Sequence, residues 1–194
     1  MRVAILVFPG VEELDFVGFL EVLAVANRVK KEPYFRTELV GVRSRNVTCS
    51  GGLRIVADRP FSETMEYDLL FVPGGGASSG TGVDLLLKDD MVLGVLKRAI
   101  ADGKRVWSVC TGGLVLGKAG LLRRKQATTH HAYLDRIELA GAVVVHERVV
   151  TDGSVTTGGG ISSSVDVGLA LVEMELGEKV KKETQVRMEY PPPG

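Results

Sequence analysis

Residues 68–76 read Asp68-Leu69-Leu70-Phe71-Val72-Pro73-Gly74-Gly75-Gly76. Four consecutive apolar side chains without polar alternation describe a strand covered on both faces, as in the middle of a parallel sheet. The Pro-Gly-Gly-Gly run that follows ends the strand in a loop. A parallel neighbour needs a crossover, and the sequence supplies one. Residues 83–101 carry apolar side chains at helical spacing, interrupted near Asp89-Asp90, and Lys104–Val109 is the next strand. Thr111–Lys118 is then a helix. Toward the N-terminus, Arg2–Phe8 reads as a buried strand. Leu14–Lys30 reads as a helix with Phe16, Leu20, Leu23 and Val25 on its apolar face, and Phe35–Val42 and Leu53–Ala57 as further strands. Beyond the centre, 142–150 and 154–157 predict a hairpin turning at Asp152-Gly153. Helices are expected over Ser163–Leu176 and Lys179–Met188. This alternation predicts one α/β domain over residues 1–190, a doubly wound, mostly parallel sheet with helices on both faces. Pro191–Pro193 cannot continue a helix, so 191–194 reads as a tail.

The 194 residues suffice for one sizeable core. Lys plus Arg and Asp plus Glu both number 24, so the formal charge is zero and no basic face for nucleic acid is indicated. The apolar run at the N-terminus is too short for a secretory signal, and no stretch is long enough to span a bilayer. A cytoplasmic location is expected, with Cys49 and Cys110 as free thiols.

In doubly wound sheets ligands bind beyond the carboxyl ends of the strands, and three of those ends are unusual here. In Trp107-Ser108-Val109-Cys110-Thr111-Gly112-Gly113 a strand runs into a small-residue turn with a thiol at its tip. The start of the following helix should favour a thiolate and lower its pKa. The plain alternative is a small buried hydrophobe. In the Pro73–Gly76 loop, Gly74 and Gly75 let the backbone approach a ligand, and the Gly75 amide with that of Thr111 can form an oxyanion hole. In Pro9-Gly10-Val11-Glu12-Glu13-Leu14-Asp15, Glu12 and Glu13 suit a helix start. Asp15 can turn toward Cys110 if the strands preceding them are neighbours, and serve there as acid and base. His130, in Thr128-Thr129-His130-His131, is a candidate for the substrate side, although most lone histidines are structural. No spacing of Cys or His suggests zinc, and neither a metal nor an organic cofactor is called for.

Together these segments resemble the ThiJ/PfpI superfamily of class I glutamine amidotransferase-like proteins. The likeness runs through FPGVEELD (8–15), DLLFVPGG (68–75), WSVCTGGLVLGKAGLL (107–122), ATTHH (127–131) and VTDGSVTTGGGISSSVDVGLALV (150–172). It implies a flavodoxin-like sheet, a strained backbone at Cys110, an acid at Asp15 facing the thiol, and a homodimer. The peptidase branch places a histidine directly after the cysteine, where this chain has Thr111. The deglycase and glyoxalase branch has glutamate where this chain has Asp15. LDFVG, SVCTGG, AGLL and TTHH are similar to isonitrile hydratases and to the sensor halves of AraC-like regulators, whose helix-turn-helix modules would need chain beyond Gly194. Two departures stand out: Gly18-Phe19 replaces Gly-Pro, and His131 replaces an aromatic residue, both expected to reshape the pocket.

The resemblance implies a small-molecule substrate, an isonitrile hydrated to an N-substituted formamide. Cys110 would attack, Asp15 would supply the proton, the Gly75 and Thr111 amides would hold developing charge, and the Thr111 hydroxyl would orient substrate. A redox- or stress-sensing thiol, or a glyoxalase or deglycase acting on small aldehydes, are the alternatives.

Overall fold

The structure, a computed structural model, describes residues 1–77 and 80–191. The tail expected at 191–194 therefore lies, beyond Pro191, outside the described residues. The strands expected at the centre form one seven-stranded sheet from β1 (Arg2–Val7), β2 (Arg36–Gly41), β5 (Arg59–Pro60), β6 (Leu69–Val72), β7 (Arg105–Val109), β10 (Val149–Asp152) and β11 (Val155–Gly158). Their order is β10-β11-β7-β6-β1-β2-β5, with every pairing parallel except the β10-β11 hairpin at one edge. β6 sits centrally, and all four of its side chains are buried. That is why its sequence lacks alternation.

Helix α1 (Glu13–Lys30) packs on α6 (Ser163–Arg187), while α4 (Gly112–Lys118) packs on α2 (Val83–Leu87), α3 (Asp90–Ala101) and α5 (Leu134–Leu139). The sheet is thus covered by two separate helical layers, the flavodoxin-like arrangement expected. Close approach of α1 and α6 needs a missing side chain: a Cβ on Gly168 would stand 2.8 Å from Val22 Cβ. Phe19 on α1 stacks on Phe71 of β6 with ring centroids 3.9 Å apart, contributing about 0.5–1.5 kcal/mol beyond its buried area. Phe19, expected to reshape the pocket, is a fully buried core residue instead.

The break expected near Asp89-Asp90 separates α2 from α3, where the Asp89 carboxylate accepts from the Val92 amide and starts the new helix. Helix α6 carries the interruption expected after Leu176. Gly177 takes φ 85° and ψ 166°, and the chain beyond it folds back, bringing the Tyr190 hydroxyl to Asp166 Oδ1 at 2.8 Å. Asp166 also receives Arg148, whose guanidinium reaches Ser162 Oγ. The first arm of the expected hairpin is divided: β9 (Val143–Val144) leaves to pair in parallel with β8 (Gln126–Ala127), and β10 begins only at Val149. A small ribbon of β3 (Asn46–Thr48) and β4 (Arg54–Val56) completes the strands.

Among the described residues, no helix is long and apolar enough to cross a membrane.

Candidate active site

The chain leaves β1 toward β2 on one side, but leaves β6 toward β7 on the other. The crevice between the carboxyl ends of β1 and β6 is therefore the topological switch point of the sheet, where ligands enter such folds. Four segments converge on that edge: residues 9–15 after β1, 73–76 after β6, 110–113 after β7 and 159–163 after β11. Val11 and Gly75 form a bridge between the first two, and the Glu12 amide donates to Gly74 O at 3.0 Å.

Cys110 stands where strand gives way to helix, with φ 55°. A side chain in this left-handed region costs about 1–2 kcal/mol, so the conformation persists only because its surroundings fix it. The Cys110 amide donates to Gly159 O at 2.7 Å and Gly158 O at 3.1 Å, and its carbonyl accepts the Thr129 hydroxyl at 2.6 Å. The residue is buried but not sealed, at 6% exposure. The amides of Ile161 and Thr111 lie near enough to the sulfur to favour its thiolate, whereas the Thr111 hydroxyl gives its proton to Gly75 O.

Asp15 is fully buried near the first turn of α1. Its Oδ2 accepts the Gly74 amide at 2.7 Å, while Oδ1 has no fixed partner. Burial raises its pKa to about 7, the Gly74 bond opposes this, Glu12 adds to it, and the Cys110 thiol is close enough to pull it down slightly. The sequence expectation required β1 and β7 to be neighbours, yet β6 lies between them. Asp15 comes within electrostatic range of the thiol across the end of β6, through the space left by Gly74. A Cβ there would lie 2.7 Å from Asp15 Oδ2, Thr111 N and Thr111 Oγ1.

Two expectations are corrected. The thiol is pushed up to about 11, first by burial and then by the Asp15 carboxylate, rather than lowered by the helix start. A seven-residue helix, with Thr111 at its N-cap, does not offset that burial. The resting pair is therefore a thiol beside a carboxyl that ionises near neutrality. The Gly75 amide, expected as an oxyanion donor, donates instead to Thr111 Oγ1 at 3.0 Å, and that hydroxyl returns a bond to Gly75 O at 2.8 Å. Thr111 thereby ties the β6 loop to the cysteine turn. The donor that sequence reasoning missed is Ile161, at φ 24° in the Gly-rich loop after β11. Only the glycines of 158–160 hinted at a close backbone approach there.

His130 lies in this corner without a hydrogen bond to the thiol among the described residues. Its Nδ1 accepts the Ala132 amide at 3.2 Å, its ring stacks on His131 at 4.4 Å, and Gly160 leaves room for it, since a Cβ there would stand 2.8 Å from the ring. Burial and the neighbouring His131 lower its pKa. His131 is exposed and does not close the site. Cys49 is buried, and burial with Glu13 and Glu12 raises its thiol to about 11. No group of three His, Cys, Asp or Glu side chains is gathered to hold a metal ion among the described residues.

The sequence matches the DJ-1/PfpI family over residues 1–174. It is 38% identical over 192 residues to an isonitrile hydratase of Pseudomonas putida, covering 99% of this chain and 79% of that protein. A THiJ/PfpI family protein from Pseudomonas syringae superposes with a TM-score of 0.85 at 31% identity, over 100% of this chain and 76% of the other. DJ-1beta of Drosophila melanogaster shares the fold, with a TM-score of 0.86 at 20% identity over 98% of each chain. A thiol at a left-handed strand end with a buried acid beside it, and these likenesses along nearly the whole sequence, lead to one assignment: the chain belongs to the DJ-1/PfpI family.

Proposed function

We propose that this protein is a cysteine-dependent hydro-lyase that adds water to a small isonitrile, giving an N-substituted formamide. The observation that carries this reading is the buried Asp15 carboxyl, poised near neutrality beside the Cys110 thiol. The identity to an isonitrile hydratase over almost the full chain supports it.

An isonitrile, R–N≡C, is attacked at its terminal carbon, which must then gain a proton. Ionised Asp15 takes the thiol proton as the S–C bond forms and delivers it to that carbon, yielding the thioimidate R–N=CH–S–Cys110. The amides of Thr111 and Ile161 stabilise charge on the sulfur while it is stripped of its proton. Water, deprotonated by Asp15, then adds to the same carbon, and the nitrogen takes up the proton. Collapse expels Cys110, which recovers a proton, and leaves R–NH–CHO. Each step moves one proton through Asp15, a positioned acid and base that ionises near neutrality, a role that gives about 10²–10⁴ in rate.

The protein is expected to work as a homodimer. Leu14 and Val17 on α1, with Leu53 and Ile161 in the neighbouring loops, are 40–47% exposed, and we assign these apolar side chains to contact with a second copy. Light scattering should give twice the chain mass, and Val17→Lys should reduce it. Two free, buried thiols suit a reducing cytoplasm.

The deciding experiment follows formamide formation from a simple alkyl isonitrile by proton NMR. Turnover by the wild type and none by Cys110→Ala supports the assignment. Equal rates in both, or lactate released from methylglyoxal in place of formamide, would overturn it.

A further inference from the structure

The peptide group joining Cys110 to Thr111 is held at its carbonyl end. Its carbonyl, on Cys110, receives the Thr129 hydroxyl at 2.6 Å, and its N–H, on Thr111, is the backbone donor next in the chain to the thiol, on the side that favours the thiolate. In a planar trans peptide the N–H and C=O point in opposite directions, so anchoring the oxygen also aims the hydrogen. A donor on the carbonyl further polarises the N–H and strengthens the bond it gives, an effect enhanced where water is excluded.

The flanking atoms are held by the Cys110 amide on Gly158 O and Gly159 O and by Thr111 Oγ1 on Gly75, but few groups hold the Cys110 carbonyl itself. Cys110 has a left-handed φ that a residue bearing a Cβ does not adopt by preference, and the other donor to its carbonyl, the Gly113 amide, is longer at 3.3 Å. Thr129 itself is firmly placed. It is 2% exposed, and the amide of its neighbour Thr128 donates to Thr157 Oγ1 of β11 at 2.9 Å. The facing residue has no side chain: a Cβ on Gly113 would stand 2.9 Å from the Thr129 hydroxyl.

We infer that Thr129 is a positioning residue of the site, whose hydroxyl holds the Cys110–Thr111 peptide so that the Thr111 N–H stays on the sulfur and sets its reactivity. This rests on Cys110 being the reacting group, and not on the identity of the substrate. The hydroxyl touches neither thiol nor substrate, so its influence passes wholly through the backbone.

The test compares wild type, Thr129→Val and Thr129→Ser by the rate of iodoacetamide alkylation against pH. Cys110 and Cys49 are followed separately by peptide mass spectrometry. Thr129→Val should alkylate Cys110 about tenfold more slowly at pH 8, with the profile displaced to higher pH, as expected when one charge-stabilising donor is misaimed. Thr129→Ser should stay within about twofold of wild type, since it restores the same hydrogen bond. Cys49 should react alike in all three. In isonitrile turnover the loss should fall on kcat and leave KM. A wild-type profile in Thr129→Val, equal losses in Val and Ser, or Cys49 and Cys110 becoming reactive together would overturn the inference, the last by showing a loosened fold. If the valine variant does not fold, the smaller Thr129→Ala is read by the same criteria. A displaced alkylation profile in a protein without isonitrile turnover would support Thr129 and remove only the hydratase reading.

Discussion

Replacing Asp15 by asparagine should make the protein more stable and inactive at once. The carboxyl is fully buried, and burial lifts its pKa from 3.8 to about 7. A group raised on folding keeps its full contribution below its unfolded pKa and loses it as pH climbs toward the folded one. Stability therefore drains away between pH 3.8 and about 7, by about 4 kcal/mol for this displacement. Asparagine is nearly isosteric, can still accept the Gly74 amide bond, and carries no charge. The advantage of Asp15→Asn over wild type should thus widen by about 2–3 kcal/mol between pH 5 and pH 8. Urea unfolding of both proteins at the two pH values measures it; groups remote from Asp15 cancel in the comparison, and the Cys110 thiol, at about 11, stays protonated over this range. Turnover should fall about 10²–10⁴-fold, because the acid–base group is gone. With the carboxylate absent, the Cys110 thiol should also lose its proton more easily. A stability difference that stays flat across this range, or an asparagine variant weaker at pH 8, would refute the claim that a strained carboxylate sits beside the thiol.

The remaining predictions concern proton supply and the room left at Gly74. Because Asp15 must be ionised to take the thiol proton, kcat/KM should rise through pH about 7 and fall as pH nears 11, where the pair loses its last proton; a stopped-flow pH profile with its acid limb near 4 would contradict this. Gly74→Ala would press a methyl within 2.7 Å of Asp15 Oδ2 and of Thr111 N. It should cost about 1–3 kcal/mol in a urea melt and abolish formamide formation, since the three groups cannot all keep their places.

Much of this architecture was legible because its signals are local. The uninterrupted Leu69–Val72 could only be a strand covered on both faces, and it is. Asp89 ended one helix and capped the next because its short carboxylate competes for backbone amides. The meeting of Cys110, Asp15, Thr111 and the Gly74–Gly75 loop was anticipated from strand ends and from the family likeness, but its wiring was not. How the amides and hydroxyl of this corner are wired depends on the fit of loops more than thirty residues apart in sequence, so neither Ile161 nor the Gly75–Thr111 bond pair had a local signature. The thiol's proton affinity departs from the sequence expectation for a related reason: a helix start is visible in sequence, whereas the desolvation that outweighs it belongs to the assembled core. β5 has no sequence signal because two residues, one of them Pro60, carry no periodicity; it exists as an edge strand on β2.

The reversal at Gly177 gives the end of the chain a reach that its distance in sequence conceals. A straight α6 would carry its last residues outward along a rod about 37 Å long. Bent back, it sets the Tyr190 phenol on Asp166, which grips Arg148, which in turn touches Ser162, the neighbour of Ile161. Tags, fusions or trimming at the carboxyl terminus thus tug on a three-link chain that leads to the loop over the sulfur.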